Sequence, residues 1–127
     1  ASCNYGIDDE GHIALYVDES DRSWCSSNAV NDHRAVTIEV SSDEKAPYRV
    51  TDAAFSSLIY LVADICKRNG ITKLRWHNKK ELIGCKNCSG ELLQNMTLHK
   101  WFKNKACPGR YLEERMFEIA AKVNALL

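Results

Sequence analysis

The sequence lacks an excess of charge of either sign, a long apolar run, internal repeats and low-complexity tracts. Its 17 lysines and arginines balance its 17 aspartates and glutamates, so no overall field attracts nucleic acid or an anionic membrane. A membrane-spanning helix requires about 20 consecutive apolar residues, and no stretch approaches that length. We therefore expect neither nucleic acid nor a membrane among the partners of this protein.

What is present is typical of a globular protein. Apolar residues make up 45% of the 127 residues and charged residues 27%, which is enough apolar material for a core of ordinary size. We expect a single domain over residues 1–127. Because such a domain does not need disulfides, we expect its six cysteines to be mostly reduced. They are Cys3, Cys25, Cys66, Cys85, Cys88 and Cys107.

The first part of the chain predicts a hairpin followed by a polar loop. Tyr5-Gly6-Ile7 and residues 13–17 are β-prone runs, and residues 8–11 between them end in a glycine suited to positive φ. Residues 18–34 are polar and contain one large aromatic residue, Trp24. Its ring either forms a stacking wall for a sugar or peptide or plugs the edge of the core.

A strict alternation of apolar and polar residues predicts a strand over residues 35–40. Val36, Ile38 and Val40 share one face, and Glu39 projects from the other. Glutamate is disfavoured by β-propensity in the middle of a strand. Glu39 is therefore either a solvent-facing carboxylate or a general base held on a rigid strand.

The clearest helix signal covers residues 52–69. Its apolar residues recur with helical spacing, Thr51 or Asp52 is placed to cap its start, and Gly70 is a natural residue just beyond its end. Residues 71–76 then predict a strand. The result is a β-α-β pattern, which indicates helices packed on a sheet.

The remaining segments predict one short and one long helix. We expect the short helix over residues 80–83 and the long amphipathic helix over residues 109–126. The buried stripe of the long helix is Leu112, Met116, Ile119, Ala120 and Val123. Cys85 and Cys88 form a C-x-x-C pair, but the second ligand pair of a zinc knuckle and the strand-to-helix context of a redox motif are both missing from the sequence.

The most distinctive stretch runs from Met96 to Gly109. It places His99 eight positions before Cys107, and Lys105 two positions before that thiol. Imidazole and thiolate are both good zinc ligands, and a catalytic zinc keeps three protein ligands and one open position. The stretch predicts a zinc site with a lysine beside it, for which a third ligand has to be found. The other reading is a structural His/Cys pair in a plain interaction domain.

Several segments together resemble one family, the type 2 N-acetylmuramoyl-L-alanine amidases. These are zinc-dependent peptidoglycan amidases of bacteriophage endolysins and bacterial autolysins. The matching segments cover nearly the whole chain. They are Asn4-Tyr5-Gly6-Ile7, Arg22-Ser23-Trp24-Cys25, Asn31-Asp32, residues 35–40, residues 64–71, residues 96–102 and Ala106-Cys107-Pro108-Gly109.

The resemblance implies a fold and a set of site residues. The fold is α/β, a mixed central β-sheet flanked by helices, with zinc in a groove along one side. His99 and Cys107 fall on the family's second and third zinc ligands, Lys105 on its catalytic lysine and Glu39 on its glutamate base. The substrate is bacterial peptidoglycan, which is cleaved between N-acetylmuramic acid and L-alanine, and Trp24 is expected to line the substrate groove.

Two departures from the family pattern modify these expectations. The family's first zinc ligand is a histidine on a strand that would lie upstream of Ala1, so residue 1 is expected to fall inside the family domain. The position of a tyrosine that is catalytic in some members falls on Cys3, and Tyr5 is a nearby substitute as a substrate-binding residue. A catalytically inactive peptidoglycan-binding module is therefore the alternative function.

The resemblance also carries expectations about place and assembly. The protein would be made in a host bacterial cytoplasm as a phage lysis protein that acts on the cell wall, or secreted as an autolysin. If the upstream strand is absent, a sheet edge is exposed, and a homodimer through that edge is expected.

Overall fold

The structure, a computed structural model, describes residues 3–20, 35–102 and 108–127. The chain divides into two compact units. The first, which we call the sheet unit, consists of Ala1–Leu58 and Leu98–Glu113, and the second, the helical unit, consists of Ile59–Thr97 and Glu114–Leu127. A single domain over the whole chain stays a prediction.

A three-stranded mixed sheet forms the centre of the sheet unit. Strand β1 (Tyr5–Ile7) lies between β2 (Ile13–Leu15), which is antiparallel to it, and β3 (Ile38–Val40), which is parallel. The predicted hairpin and third strand are confirmed, although β2 and β3 are shorter than expected. Together with the helices, this mixed sheet confirms the expected α/β class.

The hairpin turn is attached to the start of the first helix. Gly11 takes φ +84°, as the turn chemistry predicted, and its carbonyl accepts a hydrogen bond of 2.5 Å from the Ser57 hydroxyl. The Thr51 hydroxyl donates to the carbonyl of Asp9 at 2.6 Å. Glycine is required at this turn, because a Cβ on Gly11 would lie 2.8 Å from the carbonyl oxygen of Ala53.

Helix α1 (Asp52–Arg68) matches the sequence prediction closely. The Thr51 hydroxyl accepts a hydrogen bond of 3.1 Å from the Ala54 N–H, so Thr51 rather than Asp52 is the N-cap. At the other end, Gly70 has φ +69° and the N–H of Ile71 donates to the carbonyl of Cys66 at 2.8 Å. This is the glycine-terminated C-cap that the sequence predicted.

The expected strand over residues 71–76 is wrong, because this segment joins no β-ladder. Its main-chain groups bond to side-chain amides in the helical unit instead. Asn124 accepts from the N–H of Leu74 at 2.7 Å and donates to the Leu74 carbonyl at 2.9 Å. Asn95 accepts from the Arg75 N–H at 2.8 Å. An extended segment whose polar groups are satisfied in this way needs no neighbouring strand.

The C-terminal segment holds two helices where the sequence predicted one. Helix α2 (Arg110–Glu113) ends before Arg115, which takes φ −107° and ψ 7°, and helix α3 (Met116–Leu126) follows. All five residues of the expected apolar stripe are buried. The 3₁₀ helix Lys80–Leu82 confirms the short helix. Of the helices in the described ranges, none is long and apolar enough to span a membrane.

Candidate functional site

One face of the sheet is built from small and polar side chains. Gly6 is the register partner of Ala14 on β2 and of Glu39 on β3, so these three side chains point to the same side. Neighbouring strands are about 4.8 Å apart, so Glu39 and Ala14 are separated by about 10 Å of sheet. Since Gly6 and Ala14 have almost no side chain, they form a low floor beside the Glu39 carboxylate, with room above it for other groups.

A cavity of about 620 Å³ lies over this floor. Its volume falls in the range of about 300–1,000 Å³ that is usual for small-ligand sites. All of its lining residues belong to the sheet unit. Among them are Cys3, Gly6, Glu39, Tyr48, Gly109 and Leu112.

Tyr16 closes one end of the floor. It follows β2 and its N–H donates to the carbonyl of Asn4 at 2.8 Å, which places it at the beginning of β1. Its ring reaches over Gly6, because a Cβ built on Gly6 would lie 2.5 Å from the Cε2 atom and 3.2 Å from the hydroxyl oxygen. Tyr16 is nevertheless 68% exposed, so most of its ring faces the cavity and solvent.

Asp8 and His12 lie at the other end of the floor, where β1 leads into the turn. The Asp8 carboxylate accepts hydrogen bonds from the main-chain N–H groups of Glu10 and His12, and lies 2.9 Å from the Nδ1 atom of His12. These bonds, that from the His12 main chain foremost, hold the pKa of Asp8 below its ordinary value. Both side chains line the cavity.

Tyr48 and Gly109 form a tightly packed part of the cavity wall. Tyr48 has φ +62°, a left-handed backbone conformation that is uncommon for an aromatic residue. Gly109 has φ +90°, and a Cβ on it would lie 2.8 Å from the Tyr48 Cβ. The N–H of Tyr111 also donates to the Pro47 carbonyl at 2.9 Å. Only glycine at position 109 therefore permits this close approach.

His99 begins a 3₁₀ helix, His99–Trp101, that is fixed by buried neighbours on both sides. Leu98 is 2% exposed and Trp101 is 8% exposed, and both ring nitrogens of His99 are buried. The Lys100 ammonium lies 2.5 Å from the Glu113 carboxylate, which connects this 3₁₀ helix to α2. This ion pair therefore holds together the described segments that come before and after residues 103–107.

The structure places the predicted site residues in three groups. Glu39 lines the cavity. Tyr5 is half-buried, its hydroxyl donates to the carboxylate of Glu19, and neither Tyr5 nor His99 is among the described residues that line the cavity. Trp24, Lys105 and Cys107 lie outside the described residues. Their roles stay predictions.

The residues able to hold a metal are only partly described. His99 is described and has the right donor chemistry, whereas Cys107 falls outside the described residues. Within residues 3–20, 35–102 and 108–127, no group of three or more His, Cys, Asp and Glu is placed to hold a metal ion. The donor types therefore fit zinc, and the described part of the chain does not by itself supply three ligands.

The cavity-lining residues that sequence reasoning missed include Asp8, His12, Tyr16 and Tyr48. Three of them carried a usable signal. The alternation of a strand places positions 12, 14 and 16 on one side, and pairing across a hairpin turn brings position 8 opposite position 12. Tyr48 had no such signal, because its place in the wall comes from contact with Gly109, 61 positions away.

One comparison with known proteins identifies a family. Residues 1–110 match the family described as N-acetylmuramoyl-L-alanine amidase. The match spans 110 of the 127 residues, so it includes the whole sheet of the structure, the cavity floor and the stretch from His99 to Gly109. No curated protein and no solved structure matched the chain.

Proposed function

Because the chain belongs to the N-acetylmuramoyl-L-alanine amidase family, we propose that it uses zinc and Glu39 to cleave bacterial peptidoglycan. Family membership makes the protein a peptidoglycan amidase, a hydrolase that degrades the cell wall. The proposed bond is the amide between the lactyl group of N-acetylmuramic acid and L-alanine. The observation that carries the proposal is the position of Glu39, which stands beside the Gly6–Ala14 floor in a cavity of substrate size.

Glu39 is proposed as the general base. In amide hydrolysis, water adds to the carbonyl carbon, the C–N bond breaks, and the nitrogen leaves as an amine after it gains a proton. The Glu39 carboxylate would take the proton from water and deliver it to the alanine nitrogen. A strand residue suits this task because hydrogen bonds fix the backbone on which it stands: the N–H of Ser41, two residues on, donates to the Ile7 carbonyl at 2.8 Å.

His99 and Cys107 are proposed as two zinc ligands. Imidazole and thiolate are donors that zinc favours, and both ring nitrogens of His99 are buried. Lewis acidity, which polarises a carbonyl oxygen and acidifies a water molecule, is the chemistry that the bound ion supplies. The ion pair between Lys100 and Glu113 supports this proposal, because it holds together the two chain ends that flank residues 103–107.

Three further residues complete the proposed machinery. Lys105 would donate hydrogen bonds to the oxyanion that forms when water adds to the carbonyl. Trp24 and Tyr5 remain predicted substrate contacts. We also propose that the protein acts at the cell wall, either as a phage lysis protein or after secretion. A homodimer through a sheet edge is a further proposal.

The central test is the variant Glu39→Gln. We expect the release of new alanine amino groups from purified peptidoglycan to fall at least about 100-fold, since general base catalysis contributes about 10²–10⁴. Zinc content, measured by elemental analysis, should stay near that of the unsubstituted protein. Glu44→Gln is the matched control, because Glu44 is an exposed carboxylate in the loop after β3 and should leave the rate unchanged.

Two outcomes would contradict the proposal. A Glu39→Gln variant with the full hydrolysis rate would leave Glu39 as a solvent-facing carboxylate. An unsubstituted protein that binds peptidoglycan, contains no zinc and releases no amino groups would instead be the inactive peptidoglycan-binding module.

A further inference from the structure

The floor beside Glu39 has two chemically different ends. At one end the Tyr16 ring lies over Gly6 with most of its surface open. At the other end Asp8 holds His12, so this end presents a carboxylate and an imidazole. Glu39 is the register neighbour of Gly6, so it lies beside the position that the Tyr16 ring covers, and Asp8 lies two positions further along the chain.

The proposed substrate is also different on its two sides. The amide to be cleaved has a pyranose ring, attached through the lactyl group, on its carbonyl side and a peptide on its nitrogen side. Peptide N–H groups are hydrogen-bond donors, which match a carboxylate and an imidazole. A pyranose ring has a face of C–H bonds, which packs on the electron-rich face of an aromatic ring.

We propose that the sugar ring of the substrate stacks on the Tyr16 ring. Tyr16 would then be the residue that makes tight binding depend on the presence of the sugar. This inference rests on the proposed function. Gly6 is needed for this arrangement, because the absence of a Cβ at position 6 allows the Tyr16 ring to lie over the floor. The stem peptide then extends toward Asp8 and His12.

An exposed tyrosine is not by itself a sugar-binding residue. Tyr60 on α1 is 64% exposed and lies outside the cavity lining. Tyr16 differs in two respects. It lines the cavity that contains Glu39, and its ring is seated on a glycine rather than projecting into solvent from a helix. The hydroxyl of Tyr16 makes no hydrogen bond to another described residue, so stacking rather than a polar contact is the role assigned to it.

The test compares two ligands that differ only in the sugar. One is N-acetylmuramoyl-tripeptide, and the other is the D-lactoyl-tripeptide, which has the same amide without the pyranose. Dissociation constants are measured by calorimetry in the Glu39→Gln background, so that neither ligand is consumed. We expect the muramoyl ligand to bind about tenfold tighter, as one well-packed ring contact allows.

Four variants decide whether Tyr16 is the cause of that preference. Tyr16→Ala should reduce the preference to less than twofold, and Tyr16→Phe should keep it because the ring face remains. Tyr60→Ala should keep it as well. Gly6→Ala should weaken it several-fold, because the new Cβ would displace the Tyr16 ring while leaving the residue in place.

The proposal is overturned if the Glu39→Gln protein with Tyr16 intact shows no sugar preference, or if a folded Tyr16→Ala variant in the same background keeps it. Circular dichroism establishes folding. If Tyr16→Ala does not fold, Gly6→Ala decides, and an unchanged preference in that variant overturns the proposal. Hydrolysis of peptidoglycan is recorded separately, so a chain that binds with the sugar preference but hydrolyses nothing contradicts the proposed function and leaves the Tyr16 assignment supported.

Discussion

The sheet unit and the helical unit satisfy their main-chain polar groups in different ways. In the sheet unit a ladder of three short strands pairs the backbone, and the Glu39 carboxylate makes no hydrogen bond to another described residue. In the helical unit an extended segment is held by the side-chain amides of Gln94, Asn95 and Asn124. Polar residues therefore serve the backbone in the helical unit, whereas in the sheet unit Glu39 is available for chemistry.

One amide side chain in the sheet unit, that of Asn4, also bonds to the backbone. Its replacement is expected to have the largest effect on the free energy of unfolding. Asn4 is 1% exposed, its Nδ2 donates to the carbonyls of Val17 and Asp18 at 3.0 Å, and its Oδ1 accepts from Thr37. Asn4→Ala would leave the buried Thr37 N–H and the part-buried carbonyls of Val17 and Asp18 without these partners. We expect a loss of about 3–4 kcal/mol in the free energy of unfolding, measured in urea.

The counterpart in the helical unit is Asn124→Ala, which removes two hydrogen bonds to Leu74. Asn124 is half-buried, so water replaces part of what is lost and we expect about 2 kcal/mol. A larger loss for Asn124→Ala than for Asn4→Ala would show that the helical unit, and not the sheet unit, depends more on amide side chains.

The next prediction compares two glycines with positive φ. Gly109→Ala in the sheet unit combines an unfavourable backbone conformation with a Cβ contact of 2.8 Å to Tyr48, so we expect a loss of about 2–3 kcal/mol in the free energy of unfolding. Gly90→Ala in the helical unit is the matched control. It has φ +80°, and no described atom lies within 4 Å of its Cβ position, so only about 1 kcal/mol is expected.

The Gly109 substitution should also affect the site, because Gly109 and Tyr48 line the cavity. Hydrolysis of peptidoglycan should fall in Gly109→Ala and stay unchanged in Gly90→Ala, when both are assayed well below their unfolding temperatures. If the two variants are equally stable to heat, the contact with Tyr48 does not require glycine at position 109.

The smallest expected effect concerns acid stability. Hydrogen bonds from main-chain N–H groups, that of His12 for Asp8 and that of Ser20 for Asp18, hold the pKa of both carboxyls below the ordinary value. A carboxyl whose pKa is lower in the folded state contributes stability above the unfolded pKa and loses it as the pH falls through the folded pKa. Both aspartates belong to the sheet unit, so its stability should decrease below about pH 4.

Asp8→Asn should reduce this dependence, which is measured as the urea midpoint between pH 2 and 6. Asp9→Asn is the control, because the Asp9 carboxylate accepts no hydrogen bond from a described residue. If Asp8→Asn and Asp9→Asn have the same acid profile, the lowered pKa of Asp8 does not contribute to stability.

At alkaline pH the helical unit should respond instead. Burial raises the pKa of the Cys66 thiol, so stability is lost as the pH rises above the ordinary pKa of a thiol.

Much of the fold was predictable where the deciding forces are local. The cap at Thr51, the positive φ of Gly11 and Gly70 and the apolar stripe of α1 follow from rules that act within about four residues. The same rules failed over residues 71–76, where the β-prone run is paired by side chains as far away as Asn124. They also failed to show the break before α3, since the apolar stripe continues across it.

The sequence by itself determined which chemical groups the protein has and which face of β3 carries Glu39, because alternation along a strand is a local property. It also determined the stretch from His99 to Gly109, on which the zinc proposal depends. Only the tertiary structure decided that Gly6, Ala14 and Glu39 share one floor and that Tyr16 and Tyr48 border it. Strand register and the close approach of Tyr48 to Gly109 join residues that are distant in the chain, and no local preference specifies such contacts.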